Sequence, residues 1–342
     1  MNKETKRTPL KDFGEFGLIE HLTKDIEITN KSTEKAVGDD AAVMYYGGKS
    51  VVASTDILLE GIHFDLTYTP LKHLGYKAAV VNFSDIYAMN AKPVQLLVSI
   101  GISAHFCVED IEQIYDGIKL ACKTYGVDLV GGDTSSSLTG LTLSITVLGK
   151  ADKEKICYRN SAKPNDLICI TGNLGAAYMG LQLLEREKKV FEGNANIQPQ
   201  FDGYDYVLQR FLKPEARKDI IESMLDADII PTSMIDISDG LSSEILHICK
   251  QSKVGARIYL ERIPIASQTF KIAEEMGIDA VTAALNGGED YELLFTVPLA
   301  LRDRIKDLGA IDVIGHITES GACLVTPEGA EVKLQAQGWR HV

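Results

Sequence analysis

Residues 38–56 read GDDAAVMYYGGKSVVASTD, and this stretch gathers three carboxylates (Asp39, Asp40, Asp56) and two hydroxyls (Ser54, Thr55) around one short hairpin. A strand over 50–53 that returns through Gly47 and Gly48 brings its far end back beside its start. At ~5 Å and an effective dielectric of about 20, two carboxylates repel by roughly 3 kcal/mol, so such a cluster is either spread into solvent or holds cations. Hard oxygen donors on short side chains suit Mg²⁺ better than zinc or copper. Taken alone, the stretch is explained equally well as a turn with a solvated acidic edge. Recurrence favours the cation reading: Ser84-Asp85, Gly131-Gly132-Asp133, Asp236-Ile237-Ser238-Asp239-Gly240 and Gly287-Gly288-Glu289-Asp290 repeat acids beside hydroxyls and glycines.

The elements that must position these acids follow from apolar periodicity. Phe16, Ile19 and Leu22 predict a short amphipathic helix over 13–23. After Pro70, the spacing of Tyr76, Val80, Phe83 and Tyr87 predicts a helix that ends before Pro93. Asp85 lies inside that apolar helix, one turn from Asn82, and an acid there needs a partner. A strand is expected over 95–103. A helix over 108–125 carries Ile111, Ile114, Ile118 and Cys122 on one stripe, with Gly126 as its C-cap. A short strand at 129–130 then delivers Gly131, Gly132 and Asp133 to a ligand, and the alternating LTLSITVL of 141–148 is a half-buried strand.

Farther on, strand 167–170 runs into Gly172-Asn173-Leu174-Gly175 and a helix, a weak phosphate-loop pattern that helix packing explains as well. Residues 190–206 read as a polar surface loop, and a helix begins near Pro214. Strand 233–237 leads into a helix over 241–250, where Ser238 or Asp239 could serve as the cap. Strands 256–260 and 291–297 bracket a further helix. Each half is an α+β layer.

At 342 residues the chain exceeds one ordinary core and suggests two domains. The expected units are 1–150 and 151–342. A hydrophobic fraction of 45% with 24% charged residues describes a globular chain. Its net charge of -13 argues against nucleic acid and against an anionic membrane surface as partners. A phosphorylated substrate is compatible with that charge where divalent cations stand between protein and phosphate. The 6 cysteines form no C-x-x-C pair, which points to reduced buried thiols and a cytosolic setting. No apolar run approaches the ~18 residues of a membrane span, and the first residues lack the apolar segment of a secretory signal.

Several chemistries are excluded. Gly48-Lys49-Ser50 resembles the end of a P-loop, but the position of its first glycine is Val43. The protein-kinase set of HRD followed by DFG and the G-x-S-x-G elbow of a serine hydrolase are missing. A metal-carboxylate site remains, suited either to phosphoryl transfer from ATP or to a metal-dependent phosphatase.

The order FGEFGLI, VGDDAAV, STDILLEGIHF, NFSDIYAMNAKP, GGDTS, RNSAKPND, IDISDGL and GGEDYELLFTV resembles thiamine-monophosphate kinase, of the superfamily of aminoimidazole-ribonucleotide-synthetase-like ATP enzymes. The resemblance covers nearly all of the chain from Phe13 onward. It implies a two-domain PurM-like α+β fold whose N-terminal domain dimerises through its sheet, with direct in-line transfer from ATP to thiamine phosphate assisted by several Mg²⁺ ions. The metal ligands it implies are Asp40, Ser54, Thr55, Asp56, Asp85, Asp133, Asp236 and Asp239. ATP would meet Gly132, Asp133, Arg159 and Ser238, and thiamine phosphate would meet His63, Glu289 and Trp339; Asp56, Asp133 and Arg159 would be the catalytic core. Tyr87 and Asn90 replace small residues usual in the family, and Trp339 and Arg340 stand where a tyrosine and an acid are common. A selenophosphate synthetase would need a reactive cysteine near the start, whereas the first here is Cys107. A hydrogenase-maturation relative would need a C-terminal one, whereas the sequence ends Trp339-Arg340-His341-Val342.

Overall fold

The computed structural model describes residues 32–35, 38–193 and 198–336, together with Gly17. The helix expected over 13–23, Gly17 apart, and Trp339 lie outside the described residues.

The hairpin around the acids forms as the sequence suggests, from β2 (Ala42–Tyr45) and β3 (Ser50–Leu59), with β1 (Thr33–Lys35) beside β2. Ala42 pairs with Ala53, so the acids just before β2 come back beside the Ser54-Thr55-Asp56 stretch of β3. β3 runs six residues beyond the expected strand because β6 (Thr142–Ala151) pairs with it from Ser50 to Leu59. β4 (Lys92–Ile102) joins the other side of β6, and β5 (Asp128–Ser136) adds in parallel at the edge, giving the order β1-β2-β3-β6-β4-β5. The GGDTS segment therefore lies within a strand. Gly132 permits it, since a Cβ there would stand 1.7 Å from the Val98 carbonyl oxygen.

Two helices, α1 (Leu71–Ala88) and α2 (Val108–Tyr125), pack on each other beside this sheet. They cross at backbone contact: a Cβ on Gly75 would lie 1.9 Å from Ile114 O, and one on Gly117 2.0 Å from Lys72 O. α2 ends at Gly126 in the left-handed region (φ 72), its N–H bonded to Cys122 O at 2.8 Å. α1 is buried almost all round, from Leu74 to Ser84 and again from Ile86 to Ala88, which is the pattern of a helix held between layers.

The second unit contains β7 (Leu167–Thr171), α3 (Ala176–Gly193), α4 (Asp205–Leu212), α5 (Lys218–Asp226), β8 (Ser233–Asp236), α6 (Leu241–Ser252) and β9 (Gly255–Tyr259). It continues with α7 (Ser267–Met276), α8 (Ala280–Asn286), β10 (Leu293–Val297), α9 (Arg302–Asp307), β11 (Ile311–Thr318), β12 (Ala322–Val325) and β13 (Glu331–Lys333). Its sheet has the order β13-β12-β9-β11-β7-β10-β8. β7, β8 and β10 are buried at every residue.

The loop expected over 190–206 is shorter, because α3 continues to Gly193 and α4 begins at Asp205; α4 buries Val207 and Phe211. The helix expected near Pro214 starts at Lys218, and the single helix expected before β10 is two, separated by Gly277 in the left-handed region (φ 64). One core joins both units, reaching from Val52, Phe83 and Ile145 to Phe295, Val297 and Ile220. Among the described cysteines none is bridged; Cys122, Cys157, Cys169 and Cys249 are buried, Cys323 is half-buried, and Cys107 is exposed at the start of α2.

Candidate active site

α1 supplies the junction of the site. Its Asp85 accepts a 2.5 Å hydrogen bond from the Ser54 hydroxyl on β3, and its Ser84 hydroxyl donates to Asp236 Oδ2 at 2.5 Å on β8. Successive residues of one helix thus tie the two sheets together, and each hydroxyl is the partner that a carboxylate in an apolar helix or strand needs. Oxygens of Asp40, Asp85 and Asp236 all lie within 4.8 Å of one another.

Arg159 clasps Asp40 with Nε–Oδ2 at 2.8 Å and Nη2–Oδ1 at 2.6 Å. The second approach lacks hydrogen-bond geometry, so Asp40 Oδ1 is a buried oxygen without a hydrogen-bonding donor. Asp39 is otherwise engaged: it accepts the Arg159 backbone N–H at 2.7 Å and pairs with Lys35 at 2.8 Å. That explains why Asp40 and not Asp39 enters the cluster.

Burial, followed by the charges of Asp56, Asp236 and Asp40, pushes the Asp85 carboxyl well above its ordinary range, with the Ser54 bond opposing. Burial and then Asp40 push Asp236 the same way. Burial alone raises Asp56 to about 6. Such repulsion among buried acids is relieved by protons or by cations. Hard carboxylate oxygens within 4.8 Å of one another make a donor set that fits Mg²⁺.

Period-two alternation separates neighbouring candidates on β3. Ser54 lies on the side that meets Asp85, whereas Thr55 turns the other way and bonds the Ile145 carbonyl (3.0 Å) and the Thr146 hydroxyl (2.9 Å). Asp133 lies on β5 in register with Ser99, both exposed, and β6 and β4 separate β5 from β3. Gly132, Asp133 and Thr55 are therefore not gathered with the three carboxylates. Ser238 and Asp239 stand in the turn into α6: the Ser238 carbonyl accepts the Glu289 N–H at 2.7 Å, and the Asp239 N–H donates to Glu244 Oε1 at 3.0 Å. His63 closes the turn after β3, its Nδ1 accepting the Leu59 N–H at 3.0 Å.

The GGEDYEL segment divides its labour. Asp290 accepts the N–H groups of Gly175 (2.7 Å) and Ala177 (3.3 Å), so a carboxylate already fills the start of α3. Gly175, in the left-handed region (φ 80), packs against α8, where a Cβ would lie 2.9 Å from Ala284 N. Helix packing accounts for Gly175, whereas Gly172 (φ 56) makes room for the Glu292 carboxylate, which a Cβ would approach to 2.1 Å. Glu292 takes Arg210 (2.9 Å), Arg217 (2.6 Å) and the Thr171 hydroxyl (2.6 Å). Glu289, with φ 58, faces Lys77 of α1 at 3.0 Å. The Tyr291 phenol is pushed up by burial and then by the charges of Glu289, Asp56, Asp236 and Asp85.

Sequence reasoning missed Lys77, Glu244 and Tyr291. Lys77 and Glu244 carried the only signal available, a charged residue in the midst of an apolar helix pattern; Tyr291 looked like an ordinary core aromatic.

Comparison with known proteins places the chain among relatives of similar length. Residues 38–151 match the family described as AIR synthase related protein, N-terminal domain. A curated thiamine-monophosphate kinase of Aquifex aeolicus (strain VF5) is 32% identical over 333 residues, covering 97% of this chain and 99% of that protein. One from Buchnera aphidicola subsp. Schizaphis graminum is 39% identical over 344 residues, covering 96% and 99%. A solved structure of AaThiL complexed with AMPPCP and TMP superposes with a TM-score of 0.85 at 31% identity, over 99% of this chain and 100% of that one.

Proposed function

The chain belongs to the thiamine-monophosphate kinase family, and we propose from that premise how its own residues perform the family's reaction. The protein is an ATP-dependent phosphotransferase that converts ATP and thiamine phosphate into ADP and thiamine diphosphate. The observation that carries the residue-level reading is the convergence of Asp40, Asp85 and Asp236, drawn from both sheets, within 4.8 Å.

Asp40, Asp85 and Asp236, with Asp56 and Ser54 beside them, would hold Mg²⁺, and Asp239 lies on the next turn. Bound there, Mg²⁺ supplies charge neutralisation at the phosphate oxygens. Arg159 keeps Asp40 aimed into the cluster, and its guanidinium, 15% exposed, offers remaining N–H donors to a phosphate. Ser238, on a turn pinned by Glu289 and Glu244, donates its hydroxyl to Glu244 Oε1 at 3.5 Å and would have to turn from it to meet the nucleotide. The acceptor monoester is already mostly ionised near neutral pH, so no side-chain base is needed. His63 and Glu289 remain our candidates for the acceptor, with Trp339 as the aromatic.

Thr55, Gly132 and Asp133 lie away from the cluster, on a sheet that also exposes Ile57 (52%) and Val130 (55%). We assign that surface to a homodimer contact, and the nucleotide contacts of Gly132 and Asp133 to the assembly it completes. Among the described residues no helix is long and apolar enough to cross a membrane; the unbridged cysteines support a reducing, cytosolic setting.

The test is product analysis after incubation with ATP, Mg²⁺ and either thiamine phosphate or thiamine. Thiamine diphosphate is expected from the first and nothing from the second. Thiamine phosphate appearing as product from thiamine, or aminoimidazole ribonucleotide from the precursor of that compound, would overturn the assignment.

A further inference from the structure

Lys77 is a cation where the fold makes one expensive. Its side chain is 7% exposed, inside the helix that both units bury, and its ammonium has two neighbours: Glu289 Oε2 at 3.0 Å and the face of Phe211 at 4.0 Å. An ammonium has three N–H donors, and one is used by Glu289. Glu289 is held by its backbone N–H on the Ser238 carbonyl and keeps a left-handed φ of 58, which a non-glycine residue adopts at a cost. Its carboxylate is 32% exposed. The pair therefore has a buried positive end and an open negative end.

Its place along α1 matters as much as its charge. Lys77 and Ser84 are seven residues apart, hence on one face, about 10.5 Å along the axis. Ser84 bonds Asp236 in the carboxylate cluster. The ammonium thus stands along the helix from the phosphoryl-donor side, a span that a γ-phosphoryl group and an in-line acceptor phosphate can fill. Both signs of charge lie near: the Tyr68 hydroxyl donates to Glu185 at 2.7 Å, and Lys213 stands over the Tyr76 ring at 5.3 Å. Lys188 is there too, committed to Asp65 at 2.6 Å.

Resting on the kinase reading above, we propose that Lys77 and Glu289 together recognise a zwitterionic acceptor, Lys77 binding the phosphate monoester and Glu289 the cationic ring. Glu289 alone would attract free thiamine and repel a phosphate dianion. Lys77 beside it cancels that repulsion and adds a donor that only the phosphorylated acceptor uses. A purely structural pair would lose packing when broken but would not alter the choice between thiamine and thiamine phosphate.

The experiment is equilibrium binding of thiamine phosphate and of thiamine, by calorimetry, to the full-length wild type, Lys77→Met, Lys77→Arg and Glu289→Gln, with melting temperatures and the KM for ATP in parallel. Lys77→Met is expected to weaken thiamine phosphate at least tenfold, leave thiamine unchanged or tighter, and leave the KM for ATP within twofold. Lys77→Arg should recover part of the loss. Should Lys77→Met fail to fold, Glu289→Gln decides: it should weaken thiamine more than thiamine phosphate, which loses the same ring contact but gains the freed Lys77 ammonium. A wild type that discriminates while Lys77→Met discriminates equally, or a Glu289→Gln that loses both compounds alike, overturns the role of the pair alone. A wild type that binds neither compound overturns the kinase reading and the pair with it.

Discussion

Burial raises Asp56 from 3.8 to about 6, and the direction fixes how stability depends on pH. Between those values the folded protein binds more protons than the unfolded chain, so this group's contribution falls as pH rises through the window and stays lost above about 6. A shift of that size corresponds to about 3 kcal/mol. Without divalent cations, the melting temperature should fall from pH 5 to pH 7; Mg²⁺ should restore it at pH 7 and do little at pH 5, where protons already occupy the site. Thermal unfolding with and without Mg²⁺ across that range checks both halves, and a pH-independent Mg²⁺ effect would separate Asp56 from the cation site. By the same logic Asp56→Asn, Asp85→Asn and Asp236→Asn should leave the metal-free protein at least as stable as the wild type, while activity falls at least a hundredfold. Metal-free variants that melt far lower would mark these acids as structural. The hairpin acids, Asp85 and Asp236 were legible from acids recurring beside hydroxyls. Lys77 was not, because its role depends on a partner far away in sequence, Glu289 at 3.0 Å, nor was Glu244, whose bond to the Asp239 N–H forms only once the turn into α6 has folded.

The contact of α1 with α2 sets where Lys77, Ser84 and Asp85 stand. Gly117 permits it: a Cβ there would meet Lys72 O at 2.0 Å and Tyr76 N at 2.7 Å, both rigid backbone. Gly117→Ala should push α1 away and destabilise the protein by about 1–3 kcal/mol or more, as overpacking does, with a loss of activity in the fraction that remains folded. Chemical denaturation and a parallel assay measure the two effects; unchanged stability would show that the helices have room. Strong periodicity made α2 and the β2–β3 hairpin legible. Two features escaped because they depend on tertiary pairing. β3 continues past residue 53 only because β6 pairs with it to Leu59, and that extension sends Thr55 to the face opposite Ser54. α4 hid in a polar stretch because only Val207 and Phe211 of its residues are buried.

At the scale of the whole molecule, the two sheets share one core and one cluster of acids, so the site exists only when both units fold together. The sheet of the first unit exposes Ile57 and Val130, and the proposed dimer covers them. Ile57→Asp should convert a dimer to a monomer in light-scattering measurements and weaken ATP through Gly132 and Asp133; a wild type that is already monomeric contradicts that assembly. The central claim is that acids from both units form one divalent-cation site. It is tested most directly by titrating Mn²⁺ into the wild type, Asp85→Asn and Asp236→Asn, with free Mn²⁺ read by electron paramagnetic resonance. We expect each substitution, one in each unit, to weaken the same site at least tenfold while unfolding stays cooperative. Mn²⁺ affinity equal in all three proteins would contradict the account.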